Sequence, residues 1–148
     1  MEIAPRARAL SRLISPERET REGPEAAALF CGRHDFSAFR NTGSAVRDPV
    51  RTVFRCELEQ AGDELRLYVC ADGFLYNMVR VIAGTLLCVG KGKLSPSDVS
   101  ALFASRRRAE SGMTAPPQGL ALCRLWYDGF RFAPHESLPD RIRPAEGF

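Results

Sequence analysis

A chain of 148 residues with 45% hydrophobic side chains, 12 Gly and 10 Pro has the composition of one globular domain or of a piece of a larger one. Its longest apolar stretches are broken by Arg, Asn or Gly far short of the roughly 18 to 20 residues of a helical membrane span, and no apolar signal core opens the chain. With 21 basic and 18 acidic residues, the net charge of +3 is too small to announce a nucleic-acid partner by itself.

Residues 1–23 mix Pro5, Pro16 and Gly23 with charges and show no sustained period, so they read as an irregular arm. Their Arg content suits an organellar transit peptide, but Glu2, Glu17, Glu19 and Glu22 do not, which leaves a cytoplasmic address as the expectation. A short helix is predicted over Glu25 to Cys31. A helical turn is predicted over His34 to Phe39, with Asp35 as its cap and Phe36 and Phe39 facing inward. After a polar loop, Asn41 to Pro49, the period becomes two. Val50, Thr52, Phe54, Cys56 and Leu58 alternate against Arg51, Val53, Arg55, Glu57 and Glu59, the pattern of a half-buried strand. Turn residues at Gln60 to Glu64 lead into a second strand, in which Leu65, Leu67, Val69 and Ala71 alternate against Arg66, Tyr68 and Cys70, so a hairpin is predicted.

Asp72 is expected to cap a helix from Phe74 to Val89 that is apolar almost all round and therefore buried. Its few polar or small positions, Asn77, Arg80 and Gly84, form one narrow stripe at i, i+3 and i+7. Ser95 and Asp98 make a capping-box start for an amphipathic helix through Ala104. Beyond the basic run Arg106 to Arg108 and a loop at Thr114 to Gly119, Leu120 to Tyr127 reads as an interior strand. Residues 24–133 are taken as the domain, and 134–148 as a Pro-broken flexible tail. The order helix, strand, strand, helix, helix, strand predicts an α+β fold, an antiparallel sheet with helices packed on one face.

Arg80 carries the sharpest chemical demand. A guanidinium on a buried helix stays protonated and must meet an anion, either a carboxylate of the protein or a ligand phosphate. His34 and Asp35 suggest acid/base work and Cys31 a thiol nucleophile, but adjacent residues do not face each other, and a cap with packed neighbours explains the block more simply. The five cysteines, an odd number without the spacing of a zinc or redox pair, read as reduced thiols. No phosphate-cradling loop, nucleophile elbow or metal-ligand cluster is present in the sequence. The basic residues are 19 Arg and only two Lys, and Arg grips phosphate bidentately and stacks on bases, although a codon bias gives the same count. Arg51, Arg55 and Arg66 beside Tyr68, with Lys91, Lys93 and Arg106 to Arg108, have the make-up of a backbone-tracking RNA surface or of a solvated charged face.

Taken together, the blocks Gly32 to Arg40, Val50 to Thr52, Gly73 to Arg80, Ala83 to Leu87, Val89 to Lys93 and Thr114 to Pro116 with Gly119 and Leu120 resemble the C-terminal half of bacterial tRNA pseudouridine synthase A. The resemblance implies half of a pseudouridine synthase fold. It implies isomerisation of uridine in the tRNA anticodon stem-loop, at about positions 38 to 40, by a homodimer without metal or organic cofactor. It assigns to Arg80 the pairing with a catalytic aspartate, and to His34, Asp35, Phe36, Arg40, Arg51, Arg55, Tyr76 and Asn77 the lining of the cleft and of its RNA approach. The family's aspartate stands in an N-terminal half within a Gly-Arg-Thr-Asp-like loop, and none of the seven aspartates here does. The expectation is therefore a separated half, inactive by itself. The alternative is a catalytically empty RNA-binding or interaction module.

Overall fold

The computed structural model of the protein describes residues 2–7, 22–61, 64–127 and 130–131. Along the chain these form β1 (Glu2–Ala7), α1 (Glu22–Ala28), β2 (Gly32–Asp35), β3 (Val50–Ala61), β4 (Glu64–Ala71), α2 (Met78–Gly90), α3 (Pro96–Ser105), β5 (Leu120–Tyr127) and β6 (Phe130–Arg131). Single 3-10 turns cover Ser37–Phe39, Arg108–Glu110 and Pro117–Gly119. One six-stranded sheet has the order β2-β3-β4-β1-β5-β6, with every pairing antiparallel.

The predicted hairpin is β3 and β4, and the three helices lie over one of its faces. Val53, Cys56 and Leu58 of β3 and Leu65, Leu67, Val69 and Ala71 of β4 share a single apolar cluster with Ala26 and Ala27 of α1, Met78 to Leu87 of α2, and Val99 and Leu102 of α3. That arrangement is the α+β fold expected of the sequence, and burial of this face is its main stabilisation.

The alternation in β3 reverses partway. Val53 pairs with Ala71 and Arg55 with Cys70, so Phe54 is an extra residue in a bulge. One inserted residue exchanges the two faces. Val53 is therefore buried at 2% exposure and Phe54 stands at 48%, the opposite of the strict period read from the sequence. Tyr68, expected on the outward Arg and Tyr face of the hairpin, is buried at 4%, and Cys70 on the same side is buried at 7%, so both faces of β4 are covered there.

Other boundaries also move. α1 begins at Glu22 and carries Pro24 in its first turn, where proline's missing N–H has no intrahelical partner to lose. The expected turn at His34 begins instead as the short strand β2, paired with Val50–Val53. β1 falls inside the predicted irregular arm, and β6 was not anticipated. Residues 8–21 and the predicted tail lie outside the described residues. α2 starts at Met78 rather than Phe74, because Asp72 is used elsewhere. Its carboxylate accepts the Thr52 N–H at 3.0 Å while its own N–H donates to the Thr52 carbonyl at 3.0 Å, fastening the end of β4 to β3. The predicted capping box of α3 is present, with Ser95 Oγ accepting the Asp98 N–H at 3.2 Å and Asp98 Oδ2 accepting the Ser95 N–H at 2.7 Å.

Candidate active site around Arg80

The polar stripe of α2 is where a loop lies down on a buried helix. Gly84 brings the helix backbone against Met113, and a Cβ there would stand 1.7 Å from the Met113 carbonyl oxygen. Gly112 makes the reciprocal approach, with a Cβ position 2.3 Å from Gly84 C. Thr85, fully buried, donates its hydroxyl to the Val81 carbonyl at 2.8 Å and accepts the Gly112 N–H at 3.0 Å. The loop is thus held by its backbone, and at its far end the Ala115 N–H donates to the Arg80 carbonyl at 3.0 Å.

Arg80 is half-buried at the head of this contact. Its Nε donates to the Ala115 carbonyl at 2.7 Å and its Nη1 to Asn77 Oδ1 at 3.0 Å. Asn77 occupies the first cap position of α2 in the left-handed region, φ 58°, which asparagine tolerates better than other side-chain-bearing residues. Its carbonyl starts the helix by accepting the Val81 N–H, while its side chain serves the arginine rather than the helix end. Tyr76 is 54% exposed beside it, and its carbonyl accepts the Asn41 N–H at 3.1 Å.

A second arginine ties the neighbouring loops together. Arg108 Nε donates to Asn41 Oδ1 at 3.1 Å, Nη1 to Ser111 Oγ at 3.0 Å and to the Gly112 carbonyl at 2.8 Å, and Nη2 to Thr114 Oγ1 at 3.0 Å. Asn41 Nδ2 donates in turn to Thr114 Oγ1 at 3.2 Å, and Ser111 Oγ donates to the Ala38 carbonyl at 2.7 Å. One guanidinium therefore clamps three segments, the Asn41 loop, the Ser111–Thr114 loop and, through Tyr76, the entry to α2. Sequence reasoning placed Arg108 in a basic run read as an RNA surface or a solvated face, and gave no site role to Asn41, Ser111, Thr114 or Thr85. No periodicity marks such residues, because their partners lie up to 73 positions away.

Among the described residues Arg80 meets two neutral oxygens and no carboxylate. A guanidinium has five N–H donors, so three remain for another group. The free donors leave room for an anion at this guanidinium.

The remaining predicted residues divide among different surroundings. Phe36 is fully buried in a ring cluster with Phe30, Phe39 and Phe103, at centroid separations of 4.9 to 6.0 Å, so its ring serves the core rather than the surface. His34 stacks on Phe103 at 4.4 Å, and its Nε2 lies 2.8 Å from the Cys31 carbonyl oxygen, to which it donates. That contact is with the backbone, not the thiol, and no Cys31–His34 nucleophile pair is formed. Asp35 accepts the Ser37 N–H at 2.9 Å and pairs with Arg106 Nε at 3.2 Å. Burial raises its carboxyl, but the Ser37 hydrogen bonds and the Arg106 and Arg40 charges outweigh it and leave the group below its ordinary value. Arg40 Nη1 donates to the Val46 carbonyl at 2.9 Å. Arg55 is ion-paired with Glu57 at 2.8 Å on the exposed side of β3. Arg51 donates to the Asp48 and Val50 carbonyls and lines, with Arg33, Asp72 and Gly73, a separate open depression of about 570 Å³.

Five free cysteines are present, and Cys56, wholly buried, has its thiol pushed up by that burial, then by Cys31 and Glu57, so it is inert. Among the described residues no cluster of His, Cys, Asp or Glu could hold a metal, and no helix is long and apolar enough to cross a membrane.

The fold and this site are an antiparallel sheet under a buried helix, at whose head Arg80 is held by two neutral oxygens. Residues 26–128 match the model of the tRNA pseudouridine synthase family, and the chain belongs to that family. It is similar to tRNA pseudouridine synthase A of Syntrophomonas wolfei, 50% identical over 103 residues that cover 70% of this chain and 41% of that protein. The corresponding figures are 48% over 104 residues, 70% and 42%, for the Bacillus licheniformis protein, and 46% over 103 residues, 70% and 42%, for "tRNA pseudouridine synthase A 2" of Clostridium perfringens. The chain thus spans about two fifths of the length of the relatives it matches.

Proposed function

We propose that this chain supplies the cleft arginine and an RNA-binding surface of a tRNA pseudouridine synthase. That enzyme converts uridine to pseudouridine in the tRNA anticodon stem-loop, with Arg80 holding a catalytic aspartate borne by another portion of the family chain. The observation that carries the reading is the state of Arg80: fixed in place by the Ala115 carbonyl and Asn77, yet unmatched by any carboxylate among the described residues. A cation held by neutral oxygens keeps its full charge for a group that arrives from outside. An aspartate docked there is kept ionised and aimed.

The reaction frees uracil from its ribose, turns it and rejoins it through carbon. As an isomerisation it conserves atoms and electrons and asks for no redox cofactor. In this reading Tyr76, Asn77 and Arg40 border the reacting nucleotide, and the network around Arg108 keeps the cleft wall rigid. His34, Asp35 and Phe36 act by shaping the approach, and Arg51 and Arg55 contribute to an outer phosphate surface. The active species is a cytoplasmic homodimer of the complete family protein.

The test combines the purified chain with the remainder of the Syntrophomonas wolfei relative, the part outside the matched stretch, and measures pseudouridine in unmodified tRNA. The chain alone is expected to form none and the mixture to form it. Arg80→Leu is expected to lower the mixture's rate a hundredfold or more, the effect of removing one preorganised donor at the reacting centre. Robust isomerisation by the chain alone would overturn the role given to Arg80, and Asp72 and Asp35 would then be the first positions to substitute. RNA binding without isomerisation, even in the mixture, would favour the second reading, a binding module without activity.

A further inference from the structure

The sheet contains a strand that the family match does not. The matched stretch, residues 26–128, includes β4 and β5, yet these two strands are not hydrogen-bonded to each other. Between them runs β1, residues 2–7, which precedes the stretch and pairs with β4 from Ile3–Ala71 to Ala7–Leu67 and with β5 from Glu2–Trp126 to Ala7–Leu120. β4 is an interior strand by every measure. Leu67 to Ala71 are all buried, and unpaired edges on β4 and β5 would leave two rows of main-chain groups unsatisfied. The matched region therefore has a gap that some other strand must fill.

β1 fills it poorly. It is six residues long, and Pro5 stands in its middle, where it has no N–H to donate to either neighbour. Its register with β5 shifts between Ala4 and Pro5, and its recorded pairs with β4 skip both of those residues. Proline is ordinarily confined to edge strands and bulges, so this sequence is not one suited to the centre of a sheet.

We propose that the position between β4 and β5 is an exchangeable strand slot in which Glu2–Ala7 is a placeholder, displaced by a strand from the remainder of the family chain. The incoming strand is an uninterrupted extended segment without proline, at least as long as the run Leu67–Ala71, and it binds by adding main-chain hydrogen bonds on both sides at once. The inference rests on family membership and on the strand order, not on the isomerase reading. Its test therefore reads binding and amide protection rather than turnover.

The probe is the remainder of the Syntrophomonas wolfei relative, expressed as a separate polypeptide. Three forms of the 148-residue chain are compared: unaltered, lacking residues 1–7, and Pro5→Val, which restores a donor to β1 and strengthens the placeholder without opening the sheet. The truncated form is expected to bind at least tenfold more tightly than the unaltered chain, and Pro5→Val several-fold more weakly. In the complex with the unaltered chain, hydrogen exchange is expected to accelerate at Glu2–Ala7 while Leu67–Ala71 and Leu120–Trp126 remain protected. Should the truncated form not fold, Pro5→Val and the exchange pattern decide the question alone. Equal affinity of Pro5→Val and the unaltered chain, or β1 amides that stay protected in the complex, would overturn the proposal, as would an absence of binding by every form that folds.

Discussion

Gly84 meets a backbone, not a side chain, and that makes it unforgiving. A flexible neighbour could swing away from an added methyl, but the Met113 carbonyl is fixed by the Gly112 and Ala115 hydrogen bonds on either side of it. Gly84→Ala is expected to cost about 3 kcal/mol or more, the upper range for overpacking a rigid interior, and to lift the Ser111–Ala115 loop from the helix. Urea unfolding measures the loss, and a change within about 0.5 kcal/mol would contradict the close approach. Asp35 makes a pH-dependent contribution. Its folded-state value lies below the ordinary 3.8, so its stabilisation is present above that value and is lost as pH falls through the lower one. Asp35→Asn is expected to reduce stability at neutral pH, and the gap to the unaltered chain is expected to close as pH falls below 3.8 and through the lowered folded-state value, as followed by denaturant melts at neutral and acid pH. A constant gap between the two proteins across that range would show that the carboxylate charge is not the source.

In β3 the bulge decides which of two adjacent residues matters. Val53 is in the core and Phe54 in solvent, although Phe54 is the larger and more apolar. Val53→Ala is expected to cost about 2 kcal/mol, for two lost methyl groups and the space they leave, whereas Phe54→Thr should stay within about 0.5 kcal/mol. Thermal melts of the pair check the inversion, and the reverse order of losses would restore the unbroken alternation. α3 needs no such correction, because its start is a local matter. Ser95, Pro96 and Asp98 make their bonds within three residues of one another, and their spacing alone identified the cap.

For the whole molecule, less of the basic charge is left without a protein partner than the sequence suggests. Of the run Arg106 to Arg108, the first is paired with Asp35, the second with Glu110 at 3.1 Å, and the third is taken up by hydrogen bonds to Asn41 and the Ser111–Thr114 loop. Lys91 and Lys93 remain exposed at the end of α2. RNA binding by the chain is expected to be weak, to fall steeply with salt and to show little sequence preference, since phosphate contacts position without specifying. Removing both lysines should flatten the plot of log affinity against log salt by roughly one unit or more, while Arg108→Ala should leave that slope alone and cost about 2 to 3 kcal/mol of stability. Fluorescence anisotropy across a salt series, run beside unfolding curves, tests both. Salt-independent binding would point to a different surface.

What the sequence determined by itself was whatever depends on near neighbours along the chain. The β3–β4 hairpin, the buried character of α2, the capping box of α3 and the stripe of Asn77, Arg80 and Gly84 are all written at spacings of two, three, four or seven residues, which strand and helix geometry convert directly into faces. The expectation that Arg80 meets an anion came from chemistry alone, but among the described residues its partners are two neutral oxygens. The tertiary structure decided what those faces meet. The use of Asp72 to fasten β4 to β3 rather than cap α2 depends on a partner 20 residues away. The recruitment of Arg108, Asn41 and Thr114 into one clamp, the docking of Gly112 on Gly84, and the seating of Glu2–Ala7 between β4 and β5 join segments far apart in the chain. A bulge of one residue, which no local preference marks, settled the inward face of β3. Each of these depends on which groups are left unpaired when distant segments are brought together, and periodicity along the chain carries no record of that.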